Sequence, residues 1–271
     1  MLVLAGWLHL AAVLAYAGAA AAYATGWTRT SSVAVARGFW ALAIGAACHV
    51  LVLVIHGVAA GGLPLGGGVG SWDHPFSTLA GLLAASVAAT GLARSSTRIL
   101  GAFLSPMIVG LTLAALLVDS ASAAALPGAL DSAWVVVHTL SVYASLALFS
   151  LAFGSGVGYL LAESRLRRME LVGGLRLPSL QVLDRVNHRA FSGGLVGLTL
   201  GIVAGTLSAV HGDGAGADLR AKILVTVGLW MLYALGWQAR YVLGWGGRRS
   251  AWLAIVGFVG LIASVVGVAH A

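Results

Sequence analysis

Charge is scarce in this sequence. Only 8% of its 271 residues are charged, whereas 60% are hydrophobic, and the mean hydropathy is +0.98. A water-soluble globule of this length needs far more polar surface to face its solvent. The composition therefore excludes a soluble domain and predicts a polytopic membrane protein.

Cysteine and intramembrane acids are equally sparse. Cys48 is the only cysteine, which excludes an internal disulfide or a CxxC redox pair. No Asp or Glu lies within a long apolar run, so ion-coupled transport lacks the side chain it needs. The sequence also has no zinc-binding HExxH or HxxxH pattern, no serine nucleophile elbow and no phosphate-binding glycine loop. No catalytic motif is found, and an assembly or transfer role is favoured over an enzyme.

Long apolar runs make up most of the chain. Eight of them are charge-free and reach the length of about 20 residues that crosses a bilayer. They are continuous rather than alternating, which indicates helices. We therefore predict an all-α fold, with eight transmembrane helices in a single transmembrane domain, residues 1–271. The predicted helices lie at about 2–23, 39–58, 76–92, 99–118, 133–161, 190–210, 223–241 and 251–268.

Basic residues predict the orientation. With eight spans, all of the 15 lysines and arginines except Arg220 and Lys222 fall in one set of loops. Under the positive-inside rule, both termini then lie on the outer side of the inner, cytoplasmic membrane. The net charge of +7 reflects this topology and contact with the lipid bilayer, and does not indicate nucleic-acid binding.

Histidines concentrate toward the outer side in this topology. Of the eight, only His49, near mid-depth, and His188, at the inner surface, fall elsewhere. Neutral imidazoles fill the axial positions of haem iron, and cations neutralise its propionates. The pattern predicts a haem site near the outer face, with Arg220 and Lys222 beside the propionates. Two alternatives stay open: each histidine hydrogen-bonds a neighbouring helix, and the two cations only reach toward the membrane surface.

The run from Ser132 to Ala162 is the leading candidate for the site. One face of its predicted helix carries His138, Ser141, Ser145, Ala152 and Gly156. Small residues allow a neighbouring helix to pack closely, so we expect His138 to face the bundle interior. The sixth predicted helix carries Gly197, Gly201 and Gly205 at four-residue spacing, a pattern typical of closely packed membrane helices.

Three motifs in the second half of the chain carry a family resemblance. They are His-x-x-x-x-Tyr-Ala at His138–Ala144, LPSLQ followed by Asp184, and Gly-Trp-x-Gly-Arg-Arg at Gly244–Arg249. In order and spacing this half resembles the cytochrome c assembly membrane-protein family, and within it the HemX-like and CcsA-like members. The first half is similar mainly in hydropathy and in a histidine on the second helix.

The resemblance implies roles for the histidines. His138 corresponds to an outward-facing haem ligand of the family, and His270 occupies a place similar to that of a second ligand. His211 is the alternative partner for His138, and His49 or His56 corresponds to a membrane-embedded haem ligand. The implied partners are haem, other cytochrome c maturation proteins and an enzyme of tetrapyrrole synthesis.

One segment departs from the family pattern. Maturases of the family carry a tryptophan-rich WWD segment between helices six and seven, which presents haem on the outer face. Here residues 209–225 read AVHGDGAGADLRAKILV, without tryptophan. We therefore expect a divergent, HemX-like member that handles haem or controls tetrapyrrole synthesis. A regulator or scaffold without haem and a b-type membrane oxidoreductase stay open as alternatives.

Overall fold

The computed structural model describes residues 2–60, 75–117, 133–169, 177–211 and 217–270. Every regular element in these ranges is helical, and they contain no strand. A helix satisfies its own backbone hydrogen bonds, which an apolar chain in hydrocarbon requires because water is absent there. The predicted all-α class is confirmed.

The helices follow the predicted order. They are α1 (Leu2–Thr28), α2 (Ser32–Ala60), α3 (Pro75–Ala93), α4 (Gly101–Leu117), α5 (Ala133–Arg167), α6 (Leu180–His211), α7 (Ala217–Val242) and α8 (Arg248–His270), with a 3₁₀ turn, Ser95–Leu100, before α4. Several are longer than predicted; α5 continues beyond 161 and α6 starts well before 190. Hydropathy identifies only the part of a helix that suits hydrocarbon. The backbone hydrogen bonds of the helix continue into the polar residues on either side of that part.

Six helical segments are long and apolar enough to cross a membrane, five of them in α1, α2, α3, α5 and α6 and one, Ser95–Ala115, in the 3₁₀ turn together with α4. The described part of α7 carries Trp230, Trp237 and Arg240, which lower its hydropathy, and the side chains of α8 are described only to Ile262. Within the described ranges, the chain is a multi-pass membrane protein by the length and composition of these segments.

Large apolar side chains cover the outer faces of the helices. Trp7 is 65% exposed, Leu235 70% and Val256 58%. Such a surface would associate in water, whereas in a bilayer the lipid tails cover it. The described exterior therefore suits contact with hydrocarbon.

The helices pack as two compact units. The first is formed by Met1–Pro127 with Leu161–Ser179, and the second by Gly128–Leu160 with Leu180–Ala271. The first unit thus contains α1 to α4, and the second contains α6 to α8 with most of α5. The single transmembrane domain over 1–271 stays a prediction.

In the first unit, glycines of α2 allow close contact with α1. A Cβ added at Gly38 would lie 3.2 Å from the Ala19 carbonyl oxygen, and one at Gly45 would lie 2.8 Å from the Tyr16 ring. As the residue number rises on α2, that of its neighbour on α1 falls. The two helices therefore form an antiparallel hairpin.

In the second unit, two of the motifs behind the family resemblance meet at one carboxylate. Asp184 of α6 accepts hydrogen bonds from Arg240 Nη1 at 3.0 Å and Nη2 at 2.6 Å, and from the Gly247 N–H at 2.9 Å. Gly247 has a φ of +60°, in the left-handed region that favours glycine. The carboxylate thereby joins α6 to α7 and to the turn before α8.

Candidate functional site

The predicted site residues are divided between the two units. His138 lies on α5 in the second unit, and His49 and His56 lie on α2 in the first. Four side chains lie outside the part of the chain that the structure describes, those of His211, Arg220, Lys222 and His270. The roles assigned to these four stay predictions.

His138 contacts α6 through a hydrogen bond. Its Nδ1 donates to the carbonyl oxygen of Gly201 at 2.7 Å, and the side chain is half-buried. A carbonyl oxygen only accepts, so Nδ1 carries the proton, and in the neutral imidazole Nε2 keeps its lone pair. Among the described residues, none forms a hydrogen bond with Nε2. Histidine commonly binds a metal in this state, with one nitrogen anchored and the other ligating.

The face of α5 that bears His138 is the face in contact with α6. Added Cβ atoms on the three glycines of the α6 stripe would lie 2.5 Å from Ser145 Oγ at Gly197, 3.1 Å from Val142 Cγ2 at Gly201, and 2.6 Å from His138 Nδ1 at Gly205. The glycines thus let the two backbones approach, and the third leaves room for the imidazole itself. This agrees with the expected inward orientation of His138.

His49 is enclosed by three helices of the first unit. It is 0% exposed, with Nδ1 3.3 Å from the Tyr16 hydroxyl oxygen on α1 and Nε2 2.9 Å from Ser77 Oγ on α3. In a neutral imidazole one of these nitrogens donates and the other accepts, and a hydroxyl can take either role. Ligation of iron by His49 would require one of the two contacts to be given up.

His9 was not predicted as a site residue, yet it lies beside His49. The ring centroids are 5.0 Å apart in an edge-to-face arrangement, and His9 is 1% exposed. The family resemblance instead pointed to His49 or His56, which both lie on α2. Folding α1 back on α2 about their short connection would have placed His9 at the depth of His49, because the two lie at similar distances from that turn.

Imidazole is the ligand chemistry that the described residues offer to a haem iron. Within the described ranges, no group of three or more His, Cys, Asp or Glu could hold a metal ion. In haem, the porphyrin supplies the equatorial donors, and the protein needs to supply only the axial ones. An imidazole anchored through Nδ1, as in His138, fits an axial position.

Comparisons with known proteins identify a family for most of the chain. The family model described as "Cytochrome C assembly protein" matches residues 73–269. The "Cytochrome c biogenesis protein CcsA" of Prochlorococcus marinus (strain MIT 9313) is 29% identical over 167 residues, covering 52% of this chain and 52% of that protein. The protein of the same name from Synechococcus sp. (strain CC9605) is 30% identical over 169 residues, covering 54% of this chain and 56% of that protein.

The chain spans about half the length of the curated relatives it matches. No solved structure matches it significantly. The region matched by the family model begins before α3 and extends into α8, so it includes His138, the α6 glycines and the Asp184 junction. That region is well over half of the sequence, and the chain belongs to the cytochrome C assembly protein family.

Proposed function

We propose that this protein binds or moves haem in cytochrome c biogenesis, with His138 as an axial ligand. The observation that carries the proposal is the hydrogen bond from His138 Nδ1 to the Gly201 carbonyl, which leaves the lone pair of Nε2 for binding iron on a half-buried side chain. Family membership and the CcsA relatives support the role in biogenesis. Bound haem would supply a redox-active iron.

The remaining ligand assignments belong to the same proposal. His270 or His211 would supply the second axial nitrogen near the outer face, and Arg220 and Lys222 would pair with the propionates. Ligation by two histidines leaves no open position for oxygen, which suits a carrier rather than an oxidase.

A membrane-embedded ligand at His49 or His56 is also proposed. For His49 this requires loss of the contact with Tyr16 or with Ser77, because both ring nitrogens are engaged. Removal of the Ser77 hydroxyl in Ser77→Ala tests this step.

The proposal includes a topology of eight spans with both termini on the outer side of the inner membrane. It is supported by the distribution of lysine and arginine, of which only Arg220 and Lys222 fall on the other side. We expect alkaline phosphatase fused to the C-terminus to be active and green fluorescent protein at the same place to be dark. A fluorescent fusion would contradict the topology.

Replacement of His138 tests the ligand assignment. Detergent-purified His138→Ala protein, produced with abundant haem, should lose most of its haem or show a shifted Soret band, in both the oxidised and the reduced state. His188→Ala serves as a control, because His188 has no proposed ligand role and its Nε2 lies 3.2 Å from the Tyr241 hydroxyl. Unchanged haem content and an unchanged Soret spectrum in His138→Ala would refute the assignment.

A HemX-like regulator or scaffold without bound haem is the second candidate. It is favoured by residues 209–225, which contain no tryptophan where the family's haem-presenting segment would lie. This function predicts a colourless protein even with abundant haem. It also predicts that deletion changes the level of a partner, either an enzyme of tetrapyrrole synthesis or another cytochrome c maturation protein.

A further inference from the structure

We propose that Gly201 and Gly205 of α6 are positioning residues that set the tautomer and the orientation of the His138 imidazole. The functional meaning of this inference rests on the proposed ligand role of His138. Its geometry concerns only α5 and α6, which contact each other within the second unit, and is testable in the haem-free protein.

The Gly201 carbonyl selects the tautomer. In an α-helix this oxygen already accepts the N–H of the residue four positions later, which is Gly205. Its second lone pair is available to another donor, and His138 Nδ1 lies 2.7 Å away. Because a carbonyl cannot donate, the contact is satisfied only when Nδ1 bears the proton.

Gly205 supplies the space that the ring occupies. A Cβ at this position would lie 2.6 Å from His138 Nδ1 and 2.9 Å from Cε1, closer than real Cβ atoms approach other heavy atoms. Moving α6 away as a whole would open its packing against Ser145 and Val142. Rotation of the imidazole requires the loss of only one hydrogen bond, so the ring is expected to turn away from Gly201.

The hydrogen bond also affects Nε2 as a ligand. An acceptor at Nδ1–H increases the electron density that the imidazole donates through Nε2, which favours ferric iron and lowers the midpoint potential. Loss of such an outer contact typically weakens metal binding roughly 10-fold or more. Gly205→Ala should therefore weaken haem retention by about that factor and raise the midpoint potential.

Two further glycine variants provide matched controls. Gly193→Ala on α6 would place its Cβ 3.1 Å from Leu148 Cδ1 of α5 and away from the imidazole, so it tests α5–α6 packing alone. Gly228→Ala on α7 adds a Cβ with nothing within 4 Å. Both should keep the wild-type spectrum and midpoint potential. If Gly193→Ala shifts the midpoint potential as much as Gly205→Ala does, general α5–α6 packing explains the effect and the positioning role is overturned.

A second readout separates this inference from the proposed function. In ¹⁵N-histidine NMR of the haem-free wild type, the signal that disappears in His138→Ala should be that of an Nδ1-protonated imidazole. An Nε2-protonated signal overturns the inference, whether or not Gly205→Ala folds. An Nδ1-protonated signal in a protein that never takes up haem supports the positioning and refutes the ligand role. Haem ligation by His138 with an unchanged potential in Gly205→Ala supports the ligand role and overturns the positioning.

Discussion

The two units of this protein each hold an imidazole between helices, but with different partners. In the first unit, His49 contacts two hydroxyls, those of Tyr16 and Ser77. In the second, His138 contacts one backbone carbonyl, that of Gly201. A hydroxyl both donates and accepts, so either tautomer of His49 is satisfied, whereas a carbonyl permits only one tautomer of His138. Hydroxyl partners thus suit an imidazole that joins helices, and a carbonyl partner suits one that presents a nitrogen.

Replacing each histidine in turn should give the largest difference between the units. His49→Leu leaves two hydroxyls in the interior without their shared partner, and we expect the free energy of unfolding to fall by about 1–3 kcal/mol. His138→Leu should cost less than about 1 kcal/mol, because the Gly201 carbonyl keeps its acceptor role within α6. Unfolding in mixed detergent micelles measures both. Equal decreases in the free energy of unfolding would show that the two imidazoles contribute equally to stability, which contradicts this comparison.

The ion pairs of the two units should also differ in how much they contribute to the free energy of unfolding, with smaller effects than the histidines. Asp184 and Arg240 in the second unit are 21% and 24% exposed in their side chains, and two hydrogen bonds join them. Asp184→Asn should lower the free energy of unfolding by about 1–2 kcal/mol. Glu163→Gln in the first unit should cost at most about 0.5 kcal/mol, since its partner Arg167 is 67% exposed. The same micelle titration applies, and a larger loss from Glu163→Gln would contradict the ranking.

Removal of one hydroxyl sharpens the assignment of His49. Ser77→Ala should lower the free energy of unfolding by about 1 kcal/mol, because His49 Nε2 loses its partner. Ser145→Ala is a matched control in the second unit with a smaller expected loss, since among the described residues its hydroxyl donates to the Ser141 carbonyl of the same helix. Haem content should be unchanged in Ser145→Ala, whereas ligation of iron by His49 predicts a rise in haem content in Ser77→Ala. Unchanged haem content in Ser77→Ala would contradict ligation by His49 and leave His56 as the proposed membrane-embedded ligand.

Replacing glycines that have free space around them should have the smallest effect on the free energy of unfolding, and the effect should be the same in both units. Added Cβ atoms at Gly18 on α1 and Gly228 on α7 would meet nothing within 4 Å. Alanine in either place should raise the free energy of unfolding by about 0.5 kcal/mol, because it restricts the unfolded backbone and favours helix. A lower free energy of unfolding in only one of the two variants would show that the units also differ in how well their helices accept an added Cβ.

The sequence located the helices and the face that α5 presents because both depend on local patterns. Long charge-free runs predict helices in hydrocarbon, and the spacing of His138, Ser141 and Ser145 places them on one side of a helix. The stripe at Gly197, Gly201 and Gly205 likewise predicted close packing. It did not predict that this stripe packs against the His138 face of α5, since periodicity describes one helix at a time.

Contacts between residues far apart in the sequence were harder to predict. Asp184 and Arg240 are 56 residues apart, and each alone resembles one more inner-surface charge. His9 and His49 could have been paired by folding the α1–α2 hairpin about its turn. The contacts of His49 with Tyr16 and Ser77 depend on helix rotation, which hydropathy does not specify in helices that are apolar on most sides.

The amino-acid sequence by itself determined a helical membrane protein of the cytochrome C assembly type, because the scarcity of charge, the length of the apolar runs and the order of the motifs are local properties. Only the tertiary structure decided how each imidazole is engaged, with the Gly201 carbonyl beside His138 and two hydroxyls around His49. The physical reason is that the partner of a buried ring nitrogen comes from another helix, and the approach and rotation of two helices are settled by packing.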